Sequence, residues 1–416
     1  MTTATDTSTA AAASSNATAG KVITCYAAVA RGPHEPLVLE EIEVDPPQKM
    51  EVRLRILYTS VCHTDLSAWR SEVPEGERAF PRILGHEAVG VVESVGEGVT
   101  DVGEGDHVIP IFNGECGDCA YCRSATSNLC RRYRVDPLRS VMRSDGACRF
   151  RSRADGRPIF HFLNTSTFSQ YTVLDSACVV NIHRSPAASD RTDADVPPPP
   201  PPSPRHLKMM SLFSCCVSTG VGAAWNVANV QAGSSVAIFG LGALGLAAAQ
   251  GAKVRGASKI IGVDINSQKF IKGKAMGVTD FVNPMDSSKP VHERIREMTG
   301  GGGVDHSLEC VGNPQVLREA FLSTHDGWGQ TVLVGIYSTS QLLPLHPMEL
   351  FDGRSITGTI FGGVKGKSQL HHIAHRCLQP DMNMEELITH ELPFEKINEA
   401  MQLLADGKAL RCIMHL

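Results

Sequence analysis

The pattern of apolar and polar positions changes partway along this chain. From 21 to 61, apolar and polar residues alternate in short runs such as VITCYAAVA, PLVLEEIEV and EVRLRILYTSV, and similar runs broken by glycine continue through 90–110. Alternation with a period of two predicts antiparallel strands with one buried face. We therefore expect a β-rich, partly barrel-like region in the first part of the chain.

Strands alternating with helices are predicted over a second region, 235–361. The predicted strands are 235–240, 259–264, 280–282, 305–310, 330–335 and 355–361. The predicted helices begin at 246 or cover 267–276 and 291–298. This alternation is typical of a doubly wound parallel sheet, so the expected fold class is α/β.

The stretches outside these two regions carry less regular signals. Residues 160–174 and 177–182 read as strands and 207–230 as one buried helix, while the end of the chain predicts an amphipathic helix at 394–407 and a last strand at 409–416. Residues 185–205 form a low-complexity insertion whose prolines at 197–202 favour an extended polyproline II rod. We interpret it as a surface spacer, with docking of an SH3-like or WW-like partner as the alternative.

Composition narrows the class of protein. The 416 residues are 42% hydrophobic and 20% charged with a net charge of -5, which suits a globular protein of two or three domains. This charge gives no general attraction to nucleic acid or anionic membrane, and the Arg-rich stretch 131–160 reads as solvated surface rather than an anion site. No apolar run reaches the roughly 18 residues that span a bilayer. We expect a small-molecule substrate, no nucleic acid and no membrane.

The cysteines and the N-terminus bear on the compartment. There are 13 cysteines, an odd number, and residues 1–20 carry neither a basic segment nor a leucine-rich core. We therefore interpret 1–20 as a disordered tail, and we expect reduced thiols and a cytoplasmic location rather than a disulfide framework.

Four cysteines lie close together in the sequence, with the spacing C-x2-C-x2-C-x7-C. They are Cys116, Cys119, Cys122 and Cys130. Four thiolates separated by turn residues can close a tetrahedral cage with no open position, which predicts a structural zinc site. An iron–sulfur cluster is the alternative, but the spacing differs from the bacterial ferredoxin run and no proline follows the last cysteine. Four unpaired thiols are a further alternative.

A cysteine and a histidine near the end of the predicted barrel strands suggest a second metal site. Cys62 and His86 offer the thiolate and imidazole that zinc binds, and Thr64 places a hydroxyl beside the thiolate. Asp65 and Glu87 lie where carboxylates can orient an imidazole or tune the charge of a site. Taken alone, the pair fits a buried thiol and a hydrogen-bonded core histidine better than a metal site.

A glycine-rich turn joins the first predicted parallel strand to its helix. Its residues are Gly240, Leu241, Gly242, Ala243, Leu244 and Gly245, and the next strand ends at Asp264. In this context the glycines allow a tight turn, close approach of a pyrophosphate and packing of helix on strand. Asp264 would accept hydrogen bonds from a ribose and repel a 2′-phosphate, so NAD is expected over NADP, with Lys269 in reach of the same ribose. A turn used only for packing is the alternative.

These motifs together resemble the zinc-dependent medium-chain alcohol dehydrogenases, and the plant alcohol dehydrogenase-like enzymes in particular. The resemblance rests on CHTD at 62–65, GHE at 85–87, the cysteine run, HFLNTSTFSQYTV at 161–173, STGVGAAW at 218–225, GLGALG at 240–245, VDIN at 263–266 and PFEKINEA at 393–400. It implies a GroES-like catalytic domain at 21–216 and 361–416, an NAD-binding Rossmann domain at 217–360, two zinc ions per subunit and a homodimer with 330–345 near its interface.

The resemblance also assigns roles to single residues. It makes Cys62, His86 and Cys215 the catalytic zinc ligands, with Glu87 as a carboxylate beside the metal and Thr64 as the proton-transfer residue. It implies coenzyme contacts for His63, Thr219, Val311, Val334, Phe361 and Arg411. It implies an apolar alcohol pocket lined by Phe112, Phe162 and Leu163.

The chain departs from the family pattern at three positions. Cys216 replaces a glycine beside the zinc cysteine, although the register with STG favours Cys215 as the ligand. Ser67 stands where many relatives have a histidine at the end of the proton relay. Val73 replaces an acidic residue of the glutathione-dependent formaldehyde-oxidising class, which counts against that substrate.

The predicted function is reversible NAD-linked oxidation of primary or secondary alcohols to aldehydes or ketones. One alternative is an NADPH-dependent reductase of a specialised carbonyl or iminium, against which Asp264 counts. The other is a zinc- and nucleotide-binding protein that has lost catalysis, against which Thr64 and the ligand set count.

Overall fold

The structure, a computed structural model, describes residues 18–70, 79–182, 202–337 and 342–416. Residues 1–17 of the expected tail, 185–201 of the proline-rich insertion, and Val73 lie outside the described residues, as do 338–341 of the expected dimer interface. In the described ranges no single helix is long and apolar enough to cross a membrane, although the pair Pro204–Ser214 and Cys216–Val227, bent by 61°, meets those criteria together.

The described residues form eighteen strands and eleven α-helices. The strands are β1 (Ile23–Ala30), β2 (Val38–Val44), β3 (Glu51–Ser60), β4 (Arg82–Ile83), β5 (Glu87–Val95), β6 (His107–Pro110), β7 (Phe150–Ser152), β8 (Pro158–Ile159), β9 (Tyr171–Asp175), β10 (Val179–Asn181), β11 (Ser235–Phe239), β12 (Lys259–Val263), β13 (Asp280–Val282), β14 (His306–Glu309), β15 (Gln330–Leu333), β16 (Ser355–Gly358), β17 (Ile388–Pro393) and β18 (Arg411–His415). The helices are α1 (His63–Arg70), α2 (Ala120–Arg123), α3 (Pro204–Ser211), α4 (Cys216–Gly222), α5 (Ala243–Val254), α6 (Lys269–Ala275), α7 (Val291–Met298), α8 (Pro314–Leu322), α9 (Met348–Phe351), α10 (Gly366–Cys377) and α11 (Ile397–Ala405).

Two sheets make up the β-rich part of the molecule. One has the order β4-β1-β2-β7-β8, and the other has the order β10-β6-β5-β3-β18-β17 with β9 also paired to β3. Strand β18, from the end of the chain, pairs antiparallel with β3, which places Ile413 opposite Ser60. The two ends of the chain therefore share one sheet, and the C-terminal residues reach the end of β3.

The remaining sheet is parallel throughout. Its order is β13-β12-β11-β14-β15-β16. The order reverses between β11 and β14, and ligands of such sheets bind outside the carboxyl ends of the strands at this reversal. The predicted α/β class, with a β-rich domain and a parallel Rossmann-type sheet, is confirmed.

Two stretches differ from the sequence-based expectation. The predicted single helix at 207–230 is broken, because Cys215 (φ -148°, ψ -79°) leaves helical geometry between the 3-10 turn Leu212–Ser214 and α4. Of the strand-like stretch 160–174, only the part in β9 is a strand. The rest is a turn, because Leu163, Asn164 and Ser166 have positive φ and cannot continue a ladder.

Candidate active site

Cys62 lies just after β3 and before α1, where the chain turns from strand to helix. Its backbone N–H donates to Asp65 Oδ2 at 2.9 Å, so the first turn of α1 is closed by its own carboxylate. The side chain of Cys62 is buried. The turn therefore presents the thiol inward, at the end of the strand that also pairs with β18.

His86 lies between β4 and β5, and the same aspartate orients it. Asp65 Oδ1 lies 3.0 Å from His86 Nδ1 and accepts the Gly85 N–H, also at 3.0 Å. Gly85 has φ +92°, and a Cβ there would lie 2.5 Å from both Phe168 Cδ1 and Thr167 Oγ1, so only glycine fits. The other nitrogen, His86 Nε2, is buried and has no hydrogen-bond partner in the part of the chain that the structure describes.

Cys215 meets these two residues from a distant part of the sequence. The ligand atoms of Cys62, His86, Glu87 and Cys215 all lie within 4.8 Å of one another. The break before α4 turns Cys215 inward, and Ser214 fixes that segment to β5 by exchanging hydrogen bonds with the backbone of Ala88 at 2.9 and 3.1 Å. The unpartnered Nε2 and two thiols thus face one another, which is a donor set that fits zinc. Cys216 Sγ instead faces Leu212 O at 3.7 Å.

A buried carboxylate and a buried guanidinium lie beside this cluster. Arg411 Nε and Nη2 donate to the two oxygens of Glu87 at 2.8 and 3.0 Å, and Nη2 also lies 3.4 Å from Cys62 Sγ. Glu87 Oε1 further accepts the Cys216 N–H at 3.2 Å. The carboxylate of Glu87 therefore accepts hydrogen bonds from Arg411 and from the backbone of α4, and it also lies within the cluster.

The neighbouring charges shift the titration of the cluster. A hydrogen bond from Cys215 holds the pKa of Cys62 well below its usual value, and Arg411 and His86 act in the same direction against burial. Burial disfavours the imidazolium of His86, but Asp65 and Cys62 outweigh it and raise its pKa. Burial raises the pKa of Glu87 to about 7, with Arg411 opposing the rise. The site therefore favours a thiolate at Cys62.

An aromatic wall covers one side of the cluster. The ring centroids of Phe112 and Phe162 lie 5.9 and 6.0 Å from that of His86, and Phe361 lies 5.2 Å from Phe112. All three rings are buried, as is Leu163. Two of the three residues expected to line an apolar pocket, Phe112 and Phe162, are therefore next to the cluster.

The glycine-rich turn has the geometry of a phosphate cradle. Gly240 has φ +93°, and a Cβ on Gly245 would lie 1.9 Å from Gly240 O, so neither position accepts a side chain. A Cβ on Gly242 would meet no described atom within 4 Å, which leaves open space in front of the loop. No side chain among the described residues caps the N-terminus of α5 at Gly242. Free backbone N–H groups at such a helix start attract phosphate.

Asp264 follows β12 and supports this turn. Its Oδ2 accepts the Leu241 N–H at 2.8 Å and Lys269 Nζ at 3.0 Å, and its Oδ1 accepts the Asn266 N–H at 2.9 Å. Leu241 is buried, so its contribution to the turn is made by the backbone. The carboxylate expected to bind a ribose is thus held beside the glycine turn by three donors.

The other residues expected to contact coenzyme come from several parts of the fold. Val311, after β14, is exposed, and its Cγ2 would lie 2.8 Å from a Cβ on Gly240. Val334 is buried after β15, and Thr219 is buried in α4 with no hydrogen-bond partner for Oγ1 over the described ranges. Burial lowers the pKa of His63, and the positive charges of Arg411 and Lys269 lower it further. The charge of Cys62 acts in the opposite direction.

The four cysteines of the predicted structural site come together in a separate lobe. Their sulfurs all lie within 4.8 Å of one another, with 3.5 Å from Cys119 to Cys122 and 3.8 Å from Cys116 to Cys122. Sulfurs placed tetrahedrally about 2.3 Å from a zinc ion are about 3.8 Å apart. All four are free thiols. Their arrangement fits a closed zinc site.

Comparisons with known proteins agree with this geometry. The sequence profile of the zinc-binding dehydrogenases matches residues 243–376, and that of the alcohol dehydrogenase GroES-like domain matches residues 48–184. The chain is 64% identical to alcohol dehydrogenase-like 3 of Arabidopsis thaliana, over 96% of this chain and 98% of that protein. The chain belongs to the zinc-dependent medium-chain alcohol dehydrogenase family. The predicted family and its plant subgroup are thereby confirmed.

Other relatives and solved structures extend the likeness within this alcohol dehydrogenase family. Alcohol dehydrogenase 1 of Solanum tuberosum is 51% identical, over 95% of this chain and 98% of that protein. An alcohol dehydrogenase zinc-binding domain protein from Burkholderia ambifaria has a TM-score of 0.82 at 30% identity, with coverages of 95% and 100%. Benzyl alcohol dehydrogenase from Acinetobacter calcoaceticus has a TM-score of 0.80 at 27% identity, with coverages of 95% and 99%. The predicted oxidoreductase class, with zinc and a nicotinamide cofactor, is supported.

In this dehydrogenase, two contacts around the candidate metal cluster of Cys62, His86, Glu87 and Cys215 could not be predicted from the local sequence. Arg411 is 324 residues from Glu87 and 349 from Cys62 along the chain, and the resemblance implied only a coenzyme contact for it. Ser214 is 126 residues from Ala88. The first contact arises because β18 pairs with β3, and the second because the segment before α4 bonds to β5.

Proposed function

We propose that the protein catalyses the reversible, NAD-linked oxidation of primary or secondary alcohols to aldehydes or ketones. The observation that carries this proposal is the cluster of Cys62, His86 and Cys215, which lies against an aromatic wall near the carboxyl edge of a nucleotide-binding sheet. The wall matches the apolar part of an alcohol. The names of the relatives, alcohol dehydrogenases among them, support the same substrate class.

Cys62, His86 and Cys215 would hold the catalytic zinc, and the turn from Gly240 to Gly245 would hold the coenzyme pyrophosphate. When bound, zinc supplies Lewis-acid polarisation of an alcohol oxygen, and the nicotinamide accepts a hydride. Asp65 fixes the ring of His86 through Nδ1, so Nε2 is the ligand atom. Arg411 holds the Glu87 carboxylate and balances the negative charge of the thiolates.

Thr64 is the residue we assign to proton transfer. Its Oγ1 lies 3.8 Å from Cys62 Sγ, and the side chain is only partly buried. A hydroxyl can accept a proton from an alcohol while it donates its own to the next acceptor. Ser67 lies on the same face of α1, one turn further on, and provides the next hydroxyl toward solvent. Phe112 and Phe162 keep water from the reacting carbon.

A panel of small alcohols assayed with NAD and with NADP, combined with metal analysis, tests the proposal. We expect NAD reduction with primary or secondary alcohols. We also expect two zinc ions per chain, one at Cys62, His86 and Cys215 and one at the four cysteines of the separate lobe. A protein that binds zinc and nucleotide but turns over no alcohol, aldehyde or ketone would contradict it. Activity on carbonyl or iminium compounds with NADPH alone would favour a reductase instead.

Replacing Asp264 with glycine is expected to raise the ratio of NADP to NAD use. The carboxylate of Asp264 would repel a 2′-phosphate, and close like charges cost several kcal/mol, so the kcat/KM ratio should rise by about tenfold or more. Affinity for NAD should fall too, because Oδ2 also holds the Leu241 N–H. Asp264→Asn is the matched control, since it removes the charge but keeps an acceptor. An unchanged cofactor ratio in both variants would count against this role.

We also propose a homodimer, based on apolar side chains that β15 and α9 leave exposed. Ile336, Leu342, Met348 and Phe351 are 68%, 87%, 57% and 79% exposed. Large apolar side chains exposed this close together in the sequence fit a surface that another chain covers. Light scattering after size exclusion should give about twice the chain mass of 44.7 kDa, and Phe351→Asp should shift the protein toward the monomer. Ile271→Asp, also at an exposed position, is the control that should leave the mass unchanged.

A further inference from the structure

Segment 360–368 links the parallel sheet to α10 and passes beside the active site. It follows β16 and contains the 3-10 turn Phe361–Gly363. Phe361 has φ +56°, which is rare for a residue with a bulky side chain, and its ring lies 5.2 Å from Phe112 in the aromatic wall. Such a conformation persists only where surrounding contacts enforce it. The contacts that enforce it therefore matter to the site.

The cysteine lobe, defined here as residues 113–130, supplies many of those contacts. The side-chain amide of Asn128 donates to Ile360 O at 2.8 Å and to Val364 O at 3.1 Å, so it bridges the two ends of the strained turn. Lys365 Nζ donates back to the carbonyl of Cys122 within the lobe. Asn128 thus binds backbone carbonyls on either side of the turn, and the Lys365 side chain binds a backbone carbonyl between two of the lobe's sulfurs.

Glu115, directly before Cys116, holds the other end of the segment. Its Oε2 accepts the backbone N–H groups of Lys367 and Ser368 at 3.0 and 2.8 Å, and its Oε1 accepts the Ser368 hydroxyl at 3.0 Å. These are the first N–H groups of α10, which have no partners inside the helix. The positive end of the helix dipole also stabilises the negative charge of this carboxylate. Glu115 is buried, so the contact is shielded from solvent.

We propose that the cysteine lobe is a clamp that holds segment 360–368, and with it Phe361, in the position that the active site needs. Asn128 and Glu115 are positioning residues, since they act on the aromatic wall through the segment. The four sulfurs then have a role beyond local stability, because a metal that closes the lobe also fixes Cys122 O, Asn128 and Glu115 relative to the segment. This inference rests on the proposed function for its kinetic consequence only.

Substitutions at Asn128 in the zinc-loaded enzyme test the clamp by hydrogen–deuterium exchange. Asn128→Ala removes two donors, and Asn128→Asp places a carboxylate against two carbonyl oxygens. We expect the amides of Gly363 and Val364 to exchange about tenfold faster in Asn128→Ala, and faster still in Asn128→Asp, because neutral hydrogen bonds contribute about 1 kcal/mol each. Thr126→Ala, on the same lobe, should match the wild type, because among the described residues its hydroxyl bonds only to Ser124.

Kinetics provide the second arm of the test. With zinc content unchanged, kcat/KM for the alcohol should fall by about five- to twentyfold in Asn128→Asp, because small displacements of positioning groups are costly. Unchanged exchange in segment 360–368 would overturn the proposal, and so would faster exchange with unchanged kinetics. If the wild type oxidises no alcohol, the proposed function fails, and the exchange comparison alone then decides whether the lobe clamps the segment.

Discussion

Cys62→Ser is expected to lower kcat/KM for alcohol oxidation by at least about a thousandfold. The substitution replaces a thiolate with a neutral hydroxyl in a three-ligand zinc site, so the metal is lost or is bound in the wrong geometry. The structure gives this substitution a specific electrostatic consequence. Arg411 faces both Cys62 and Glu87, so removal of the thiolate leaves the guanidinium with one anionic partner. Metal content should fall by one zinc per chain, measured together with steady-state kinetics.

Binding of NAD separates a lost metal from a lost fold in this experiment. The glycine turn and Asp264 do not contact Cys62, so nucleotide affinity measured by fluorescence titration should stay within a few-fold of the wild type. Cys216→Ala is the matched control. Its thiol bonds to Leu212 O and lies near Arg411 without belonging to the ligand set, so metal content and most of the activity should be kept. Retained turnover in Cys62→Ser, or zinc loss in Cys216→Ala, would show that the ligand assignment is wrong.

The parallel sheet could be predicted in detail because its signals are local. The expected strand 280–282 and helix 291–298 match β13 and α7 at both ends. Apolar runs bounded by glycine or proline need no knowledge of distant contacts. Helices α8 and α10 escaped prediction, although Asn313 caps α8 through its side chain and Pro314 begins it, which is a readable start signal.

The metal-candidate cluster could be predicted only in part. Cys62, Asp65 and His86 lie within one supersecondary unit, and the expectation that a carboxylate orients the imidazole matches the contact between Asp65 and His86. Cys215 came from a family resemblance, because helical periodicity at 207–230 gives no sign of a break. Tertiary structure overrides that periodicity at Cys215, where hydrogen bonds of Ser214 to β5 hold the chain out of helical geometry. A periodic sequence pattern cannot report a contact made 126 residues away.

Cys130→Ser is expected to remove the zinc of the cysteine lobe and to lower the apparent melting temperature by roughly 3–5 °C, as a loss of about 3–4 kcal/mol would in a chain of this length. Three sulfurs and a hydroxyl make a poor cage, so without metal the lobe is held mainly by its hydrogen bonds to segment 360–368. In the described residues its sulfurs form a small cluster of their own with Tyr133 beside them, separate from the main core. Differential scanning fluorimetry and metal analysis measure both effects.

Cys148→Ser is the control for this substitution, because its half-buried thiol lies outside both sulfur clusters. It should leave zinc content and melting temperature near those of the wild type. Since Glu115 and Asn128 belong to the same lobe, Cys130→Ser should also speed amide exchange at 360–368, as Asn128→Asp does. A protein that loses the lobe zinc but keeps its melting temperature would mean that the hydrogen bonds of the lobe hold it without metal. The zinc of the lobe would then contribute nothing measurable to the stability of the fold.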